Sequence, residues 1–225
     1  MILYSDAFIL AIDKPAGLLS AQDGYRPDLP TVQSTLEPDW GRLFRVHRLD
    51  KDTSGVLVLA RTPEAHRALD RQFARHEVKK IYHALCIGAP TWQHTTISAP
   101  LRVNGDRSHR TVVDRAAGKP AHTSLNLLAQ YHGFCAVEAR PTTGYTHQIR
   151  AHLSSIGFPI LGDPLYRLPP ALKDHPLDLV FFQSFPRTAL HAASLTFTHP
   201  GTQEIMTILA PDPLDFVEFI RAHST

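Results

Sequence analysis

The residue types with most chemical content cluster at His47-Arg48-Leu49-Asp50, followed at once by Thr53-Ser54-Gly55. A carboxylate on a tight turn beside basic side chains stays ionised, because nearby positive charge favours its charged form. Such a group can serve as a nucleophile or as a base. An isolated aspartate in such a turn can equally be a turn cap or an ion-pair partner. Fourteen histidines invite a metal reading, with His47, Asp50, His147, His152 and His191 as the ligands. His147 and His152, however, are five residues apart and fall on different sides of a helix, unlike the four-residue spacing of a helical zinc motif. No metal site is expected. The chain also has no Gly-x-Ser-x-Gly elbow, no phosphate-binding P-loop and no dinucleotide-binding glycine fingerprint, so the usual hydrolase, phosphotransferase and dehydrogenase signals are missing and no cofactor is expected.

Several elements must hold these residues in place. Residues 7 to 12 form a short apolar run closed by Asp13-Lys14-Pro15-Ala16-Gly17, which fits a buried strand leaving through a Pro/Gly loop. Leu43 to Val46 and Val56 to Ala60 read as strands on either side of the Asp50 turn, which places Asp50 on a loop or strand end. Thr62-Pro63-Glu64 is a helix start, with a capping hydroxyl, a first-turn proline and an acid near the positive end of the dipole; Ala65, Leu69 and Phe73 follow at helical spacing. Further strands are expected at residues 80 to 87, 122 to 130, 134 to 139, 189 to 198 and 204 to 209. A helix is expected from Thr146 to Ile156, with Ile149, Leu153 and Ile156 on its core face and Gly157 ending it. A last helix is expected over residues 212 to 222. Residues 21 to 30 read as a mobile, turn-rich segment, and residues 164 to 187, with several prolines, as a long surface loop. No repeat or linker interrupts the chain. The pattern predicts one α+β domain over residues 1 to 225, with a mixed, largely antiparallel sheet flanked by helices and loops.

The 43% hydrophobic content is that of a globular protein. No stretch approaches the roughly 18 apolar residues of a membrane span, and no basic region precedes an apolar run at the start, so a cytoplasmic location is expected. Cys86 and Cys135 are far apart in sequence and read as reduced, buried thiols. A net charge of +2 says little by itself, but its distribution is uneven. Arg42, Arg45, Arg48, Lys51, Arg61, Arg67, Arg71, Arg75, Lys79 and Lys80 all fall in the first half, so a polyanion would meet the chain there. Arg67 and Arg71 fit equally well as solvated residues on the outer face of a helix.

The run from His47 to Ala60 resembles the signature of the RluA-like family of RNA pseudouridine synthases. Other segments agree in the family's order: Asp13 to Gly17, Lys79 to Ala84, Gly118 to Thr123, Thr143 to His152, Pro159 to Tyr166, Leu190-His191-Ala192, and His199-Pro200 through Ala210-Pro211. The resemblance covers nearly the whole chain. It implies a single synthase catalytic domain that lacks the S4 RNA-binding domain of many relatives. It implies Asp50 as the catalytic carboxylate, Tyr82 as the residue against the base that helps remove the C5 proton, and Arg150 as the partner orienting the Asp50 carboxylate. Arg48 resembles the residue that occupies the gap left by an extruded nucleotide. Lys79, Lys80 and His47 are placed with it as RNA-binding residues. Many relatives have Arg where Tyr145 stands, a change that would weaken a phosphate contact there.

The implied reaction breaks the glycosidic bond of a uridine and joins C5 to C1′. No electrons are gained or lost, so no redox cofactor is called for, and the resemblance implies that no metal is needed. Asp50 would act either at the sugar carbon or on the 2′ proton. The expected partner is a structured RNA, a ribosomal or transfer RNA stem-loop, whose base must be extruded. A monomer with no obligate protein partner and no membrane contact is expected. Two other readings are a catalytically silent RNA-binding protein of the same fold and, more distantly, a metal-dependent hydrolase.

Overall fold

The computed structural model describes residues 1–22, 24, 26–167 and 184–223. They cluster into two compact units, Met1–Lys80 with Ala192–Pro211, and Ile81–His191 with Asp212–Thr225. The architecture is α+β, with mostly antiparallel strand pairing and four helices among the described residues.

The first unit is built on β4 (Ser54–Ala60), whose seven residues are all buried. Such a strand reads as a continuous apolar run because both of its faces are covered. It pairs antiparallel with β2 (Ile9–Lys14), from Ile9 opposite Ala60 to Lys14 opposite Gly55, and with the short β3 (Phe44–Arg45). β1 (Ile2–Ser5) lies outside β2, and β11 (Leu190–Thr198) follows on the other side of β4, pairing in turn with β12 (Ile205–Leu209). Helix α2 (Pro63–Ala74) starts as its sequence predicts, with the Thr62 hydroxyl accepting from the Ala65 amide. It buries Ala65 and Leu69 against Val56, Val58, Leu195 and Phe197. Gly55 is required where it stands: its φ is 109°, and a Cβ there would lie 2.3 Å from the Ala192 carbonyl oxygen.

In the second unit β5 (Lys79–Ile87), β10 (Phe134–Pro141), β9 (Thr123–Gln130) and β6 (His94–Ile97) follow in that order, each pair antiparallel. A two-stranded ribbon, β7 (Leu101–Arg102) with β8 (Val112–Val113), stands apart from them. The core joins these strands to α3 (Gln148–Ser155) through Ile149 and Leu153, and to α4 (Leu214–His223) through Phe216 and Phe219. Cys86 and Cys135 are free and buried, as expected, but directly opposite each other across β5 and β10.

The strands β1, β6, β7 and β8 were not anticipated, and two helices differ from the sequence expectation. α1 (Val32–Trp40) was not anticipated: only Val32 is buried and Pro38 interrupts it, so it lacks the apolar period that announces a helix; a Thr31/Ser34 capping box starts it. α3 is not amphipathic. All of Gln148 to Ser154 is buried, so its polar residues must find partners inside the protein. The proline-rich loop expected at 164 to 187 falls mainly on residues 168–183, outside the described residues.

Candidate active site

Asp50 sits, half-buried, on the turn between β3 and β4. Its neighbours are pinned on both sides. The Ser20 hydroxyl donates to the Leu49 carbonyl at 2.9 Å and accepts from the Leu49 amide at 3.1 Å. On the other side, the Lys51 carbonyl accepts from the Gly17 amide at 2.8 Å and from Lys14 Nζ at 3.0 Å. Lys14 is wholly buried, and its ammonium also donates to the carbonyls of Pro15 at 2.9 Å and Leu18 at 2.8 Å. A buried cation surrounded by carbonyl oxygens satisfies its charge while fixing two loops together. The motif at residues 13 to 17 is thus the clamp on the Asp50 turn. Lys14→Met should remove the donor to the Pro15 and Leu18 carbonyls, leave the Lys51 carbonyl with the Gly17 amide alone, and lower unfolding free energy by about 3 kcal/mol, as measured by urea denaturation; an unchanged midpoint would refute the clamp.

Arg48, Lys51 and Lys79 are exposed in the same unit, with Lys80 half-buried. His47 behaves differently. Its Nε2 accepts from the Val58 amide at 3.0 Å, and its ring stacks on Phe73 with centroids 4.8 Å apart. Desolvation, helped by the charge of Lys80, pushes its pKa down to about 3. The ring is therefore neutral and supports β4 rather than offering charge to a phosphate. Burial also lowers the Lys80 pKa, to about 8. Arg67 is paired with Glu64 at 2.6 Å on the exposed face of α2, in line with a solvating role.

In the second unit Tyr82 lies on β5, half-buried against the core cluster. His83, next to it and so on the opposite face of the strand, pairs with Asp212 at 2.6 Å. That hydrogen bond raises the His83 pKa and lowers that of Asp212. Arg150 is buried on α3 and forms a two-pronged ion pair with Asp163, Nε to Oδ2 at 2.7 Å and Nη2 to Oδ1 at 2.8 Å. Its guanidinium lies over the Tyr166 ring, 5.1 Å from the centroid.

The start of α3 is locked by Gln148. Its Oε1 accepts from the Thr143 hydroxyl and the Tyr145 amide, while its Nε2 donates to the His122 carbonyl. His152 donates from Nε2 to the Ala99 carbonyl, which leaves Nδ1 to accept from the Thr123 hydroxyl. Tyr145 packs against the Leu101, Ala121, Ala151 and Tyr166 cluster. Among the described residues no three His, Cys, Asp or Glu side chains converge on a metal position.

Residues 9–155 match the family model described as RNA pseudouridylate synthase. The chain belongs to that family. Among the synthases it resembles is the Pseudomonas aeruginosa ribosomal large subunit pseudouridine synthase D, 40% identical over 96% of this chain and 69% of the relative. The Salmonella typhi dual-specificity RNA pseudouridine synthase RluA is 36% identical over 94% of this chain and 92% of its own length. A solved synthase-domain structure, human RNA pseudouridylate synthase domain containing 1, superposes with a TM-score of 0.75 at 30% identity, covering 94% of this chain and 83% of the human one. Within this synthase fold, sequence reasoning singled out Asp50, Tyr82 and Arg150 but assigned no role to Lys14, Gln148 or Asp163. All three lay inside the motif strings; what marks them is burial of a polar side chain, which spacing does not reveal.

Proposed function

We propose that this protein isomerises selected uridines of structured RNA to pseudouridine, with Asp50 as the catalytic carboxylate. The supporting observation is the Asp50 turn itself: an aspartate beside exposed Arg48 and Lys51, its flanking residues held by Lys14, Gly17 and Ser20, inside the family match. A carboxylate whose backbone is held in place before substrate arrives loses less to reorganisation during reaction. Asp50 either attacks C1′, leaving again when C5 bonds there, or removes the 2′ proton and returns it once C5 has bonded to C1′. The C1′–N1 bond breaks, the uracil turns, C5 bonds to C1′, the C5 hydrogen leaves as a proton and N1 takes one up. Tyr82 stands against the base and assists removal of the C5 proton. Arg150 orients the Asp50 carboxylate. Arg48 fills the space vacated by the extruded nucleotide, and Lys79 and Lys80 hold flanking phosphates, which position the RNA without reading its sequence.

The names of the relatives point to ribosomal RNA, or to more than one RNA, as the substrate class. The described residues include no helix long and apolar enough to cross a membrane, and we read the protein as a cytoplasmic monomer whose residues 1 to 225 act as one catalytic domain. The test follows the lost C5 hydrogen: purified protein, given large-subunit ribosomal RNA or transfer RNA labelled with tritium at uridine C5, should release the label to water at mapped positions. Binding without release would mark a silent RNA-binding protein instead.

Lys80 gives this reading a pH signature. Burial lowers its pKa to about 8, so the cation is present at pH 7 and is progressively lost as pH rises through 8. RNA phosphates favour the charged form, so binding above pH 8 takes up a proton and weakens. Lys80→Gln should flatten the plot of log affinity against log salt by roughly 1 at pH 7, and should remove most of the wild-type decline in affinity between pH 7 and 9. An unchanged slope and an unchanged decline would place the RNA elsewhere.

A further inference from the structure

Asp163 is wholly buried, yet it is surrounded by donors. Besides the two bonds from Arg150, its Oδ1 accepts from the backbone amides of Leu165 at 2.9 Å and Tyr166 at 3.1 Å. The segment that carries it is fixed in turn. The Leu161 amide donates to the Leu85 carbonyl on β5, and the Ala189 amide to the Leu161 carbonyl. Gly162 makes the turn at φ 66°, where a Cβ would lie 2.0 Å from the Arg187 carbonyl oxygen. The position of this carboxylate is therefore set by strand and turn backbone, not by the side chain it holds.

Its effect on Arg150 is directional. A guanidinium has five N–H bonds in one plane. Asp163 takes the Nε–H and one Nη2–H, and the Tyr166 ring lies against the guanidinium face. The Tyr166 hydroxyl is itself fixed, accepting from the Thr111 amide at 2.8 Å. With one edge and one face set, the direction of the remaining three N–H bonds is set as well. A two-pronged contact fixes both the plane and the rotation of the group, which a single bond would leave loose.

We infer that Asp163 is the positioning residue of the synthase reaction, holding the Arg150 guanidinium in the one orientation from which it can direct the catalytic carboxylate. The inference rests on the reading of Arg150 given above. Asp163 touches neither substrate nor reacting atoms; it acts through Arg150 alone. Two consequences follow. Losing Asp163 should slow the bond-making step without loosening RNA, and the loss should vanish where Arg150 has already been disabled, because groups that act as a unit are not additive.

The experiment is a double-mutant cycle read by single-turnover kinetics at saturating RNA, with RNA affinity measured in parallel. Asp163→Asn keeps the shape and the Oδ1 acceptor but sets an amide donor against the guanidinium. Its rate should fall at least about tenfold, with affinity unchanged, while adding it to Arg150→Lys should cost little beyond Arg150→Lys alone. Where Asp163→Asn does not fold, Asp163→Glu, which keeps the buried cation paired but shifts the carboxylate, carries the same criteria. A normal rate for the folded Asp163 variant beside a slow Arg150→Lys overturns the inference and leaves the role of Arg150 standing. Fully multiplicative losses overturn it too, since Asp163 would then act independently. Normal rates for both variants overturn the role of Arg150 and the inference with it.

Discussion

Asp50→Asn is expected to reduce pseudouridine formation by on the order of 10⁴-fold or more, the scale set by removing a nucleophile or a base from its reaction. The substitution keeps the shape of the side chain and exchanges one oxygen for a nitrogen. The backbone contacts that hold the turn come from Ser20, Gly17 and Lys14 to the carbonyls and amide of Leu49 and Lys51, so they do not involve the Asp50 carboxylate. The turn should keep its form, and melting temperature and RNA affinity should stay close to wild type. Tritium release from C5-labelled RNA gives the rate, and filter binding gives the affinity. Substantial turnover by a folded, RNA-binding Asp50→Asn protein would remove Asp50 from its role.

Arg150→Lys should have the next largest effect, lowering the single-turnover rate about 10²-fold, the cost of misplacing a reacting group by an ångström or so. Lysine retains the charge but has no fork, so it cannot reproduce the Nε and Nη2 bonds to Asp163. The same loss should appear in stability, by about 2 kcal/mol, because a buried carboxylate gives up part of its pairing. If Arg150 served chiefly as a phosphate contact, turnover at saturating RNA would stay near normal and affinity alone would fall.

Much of this was legible from spacing. The strand at β4, the capped start of α2, the strands of the second half and the position of Asp50 on a turn all follow from apolar periodicity and turn chemistry. What stayed hidden has one physical cause in each case. Nothing in the sequence announces the burial of Lys14, since lysine is seldom fully buried unless paired; carbonyl acceptors come to it from a loop and from Lys51, 37 residues away. Asp163, followed by proline, reads as a turn former, and its arginine partner lies 13 residues earlier on a helix. α3 looked half-exposed because polar residues alternate with apolar ones along it. Gln148, Arg150, His152 and Ser154 are nevertheless buried, each hydrogen-bonded, Ser154 to the Arg167 carbonyl. His47 was grouped with the RNA-binding residues from its place in the sequence; that its ring also accepts from the Val58 amide of β4 and stacks on Phe73 depends on contacts 11 and 26 residues away.

The sequence contains two cysteines, and both lie on neighbouring strands of the second unit, wholly buried. Burial holds the Cys86 thiol protonated, with its pKa raised well above the ordinary thiol value. The thiolate is the form that attacks a sulfhydryl reagent, so labelling requires β5 and β10 to separate and water to enter. The protein therefore has a built-in chemical reporter, specific to that unit. Its labelling rate measures opening there, while amide deuterium exchange along β4 measures opening of the first unit. Comparing the two in one sample would show whether the units come apart as a single cooperative block or one before the other.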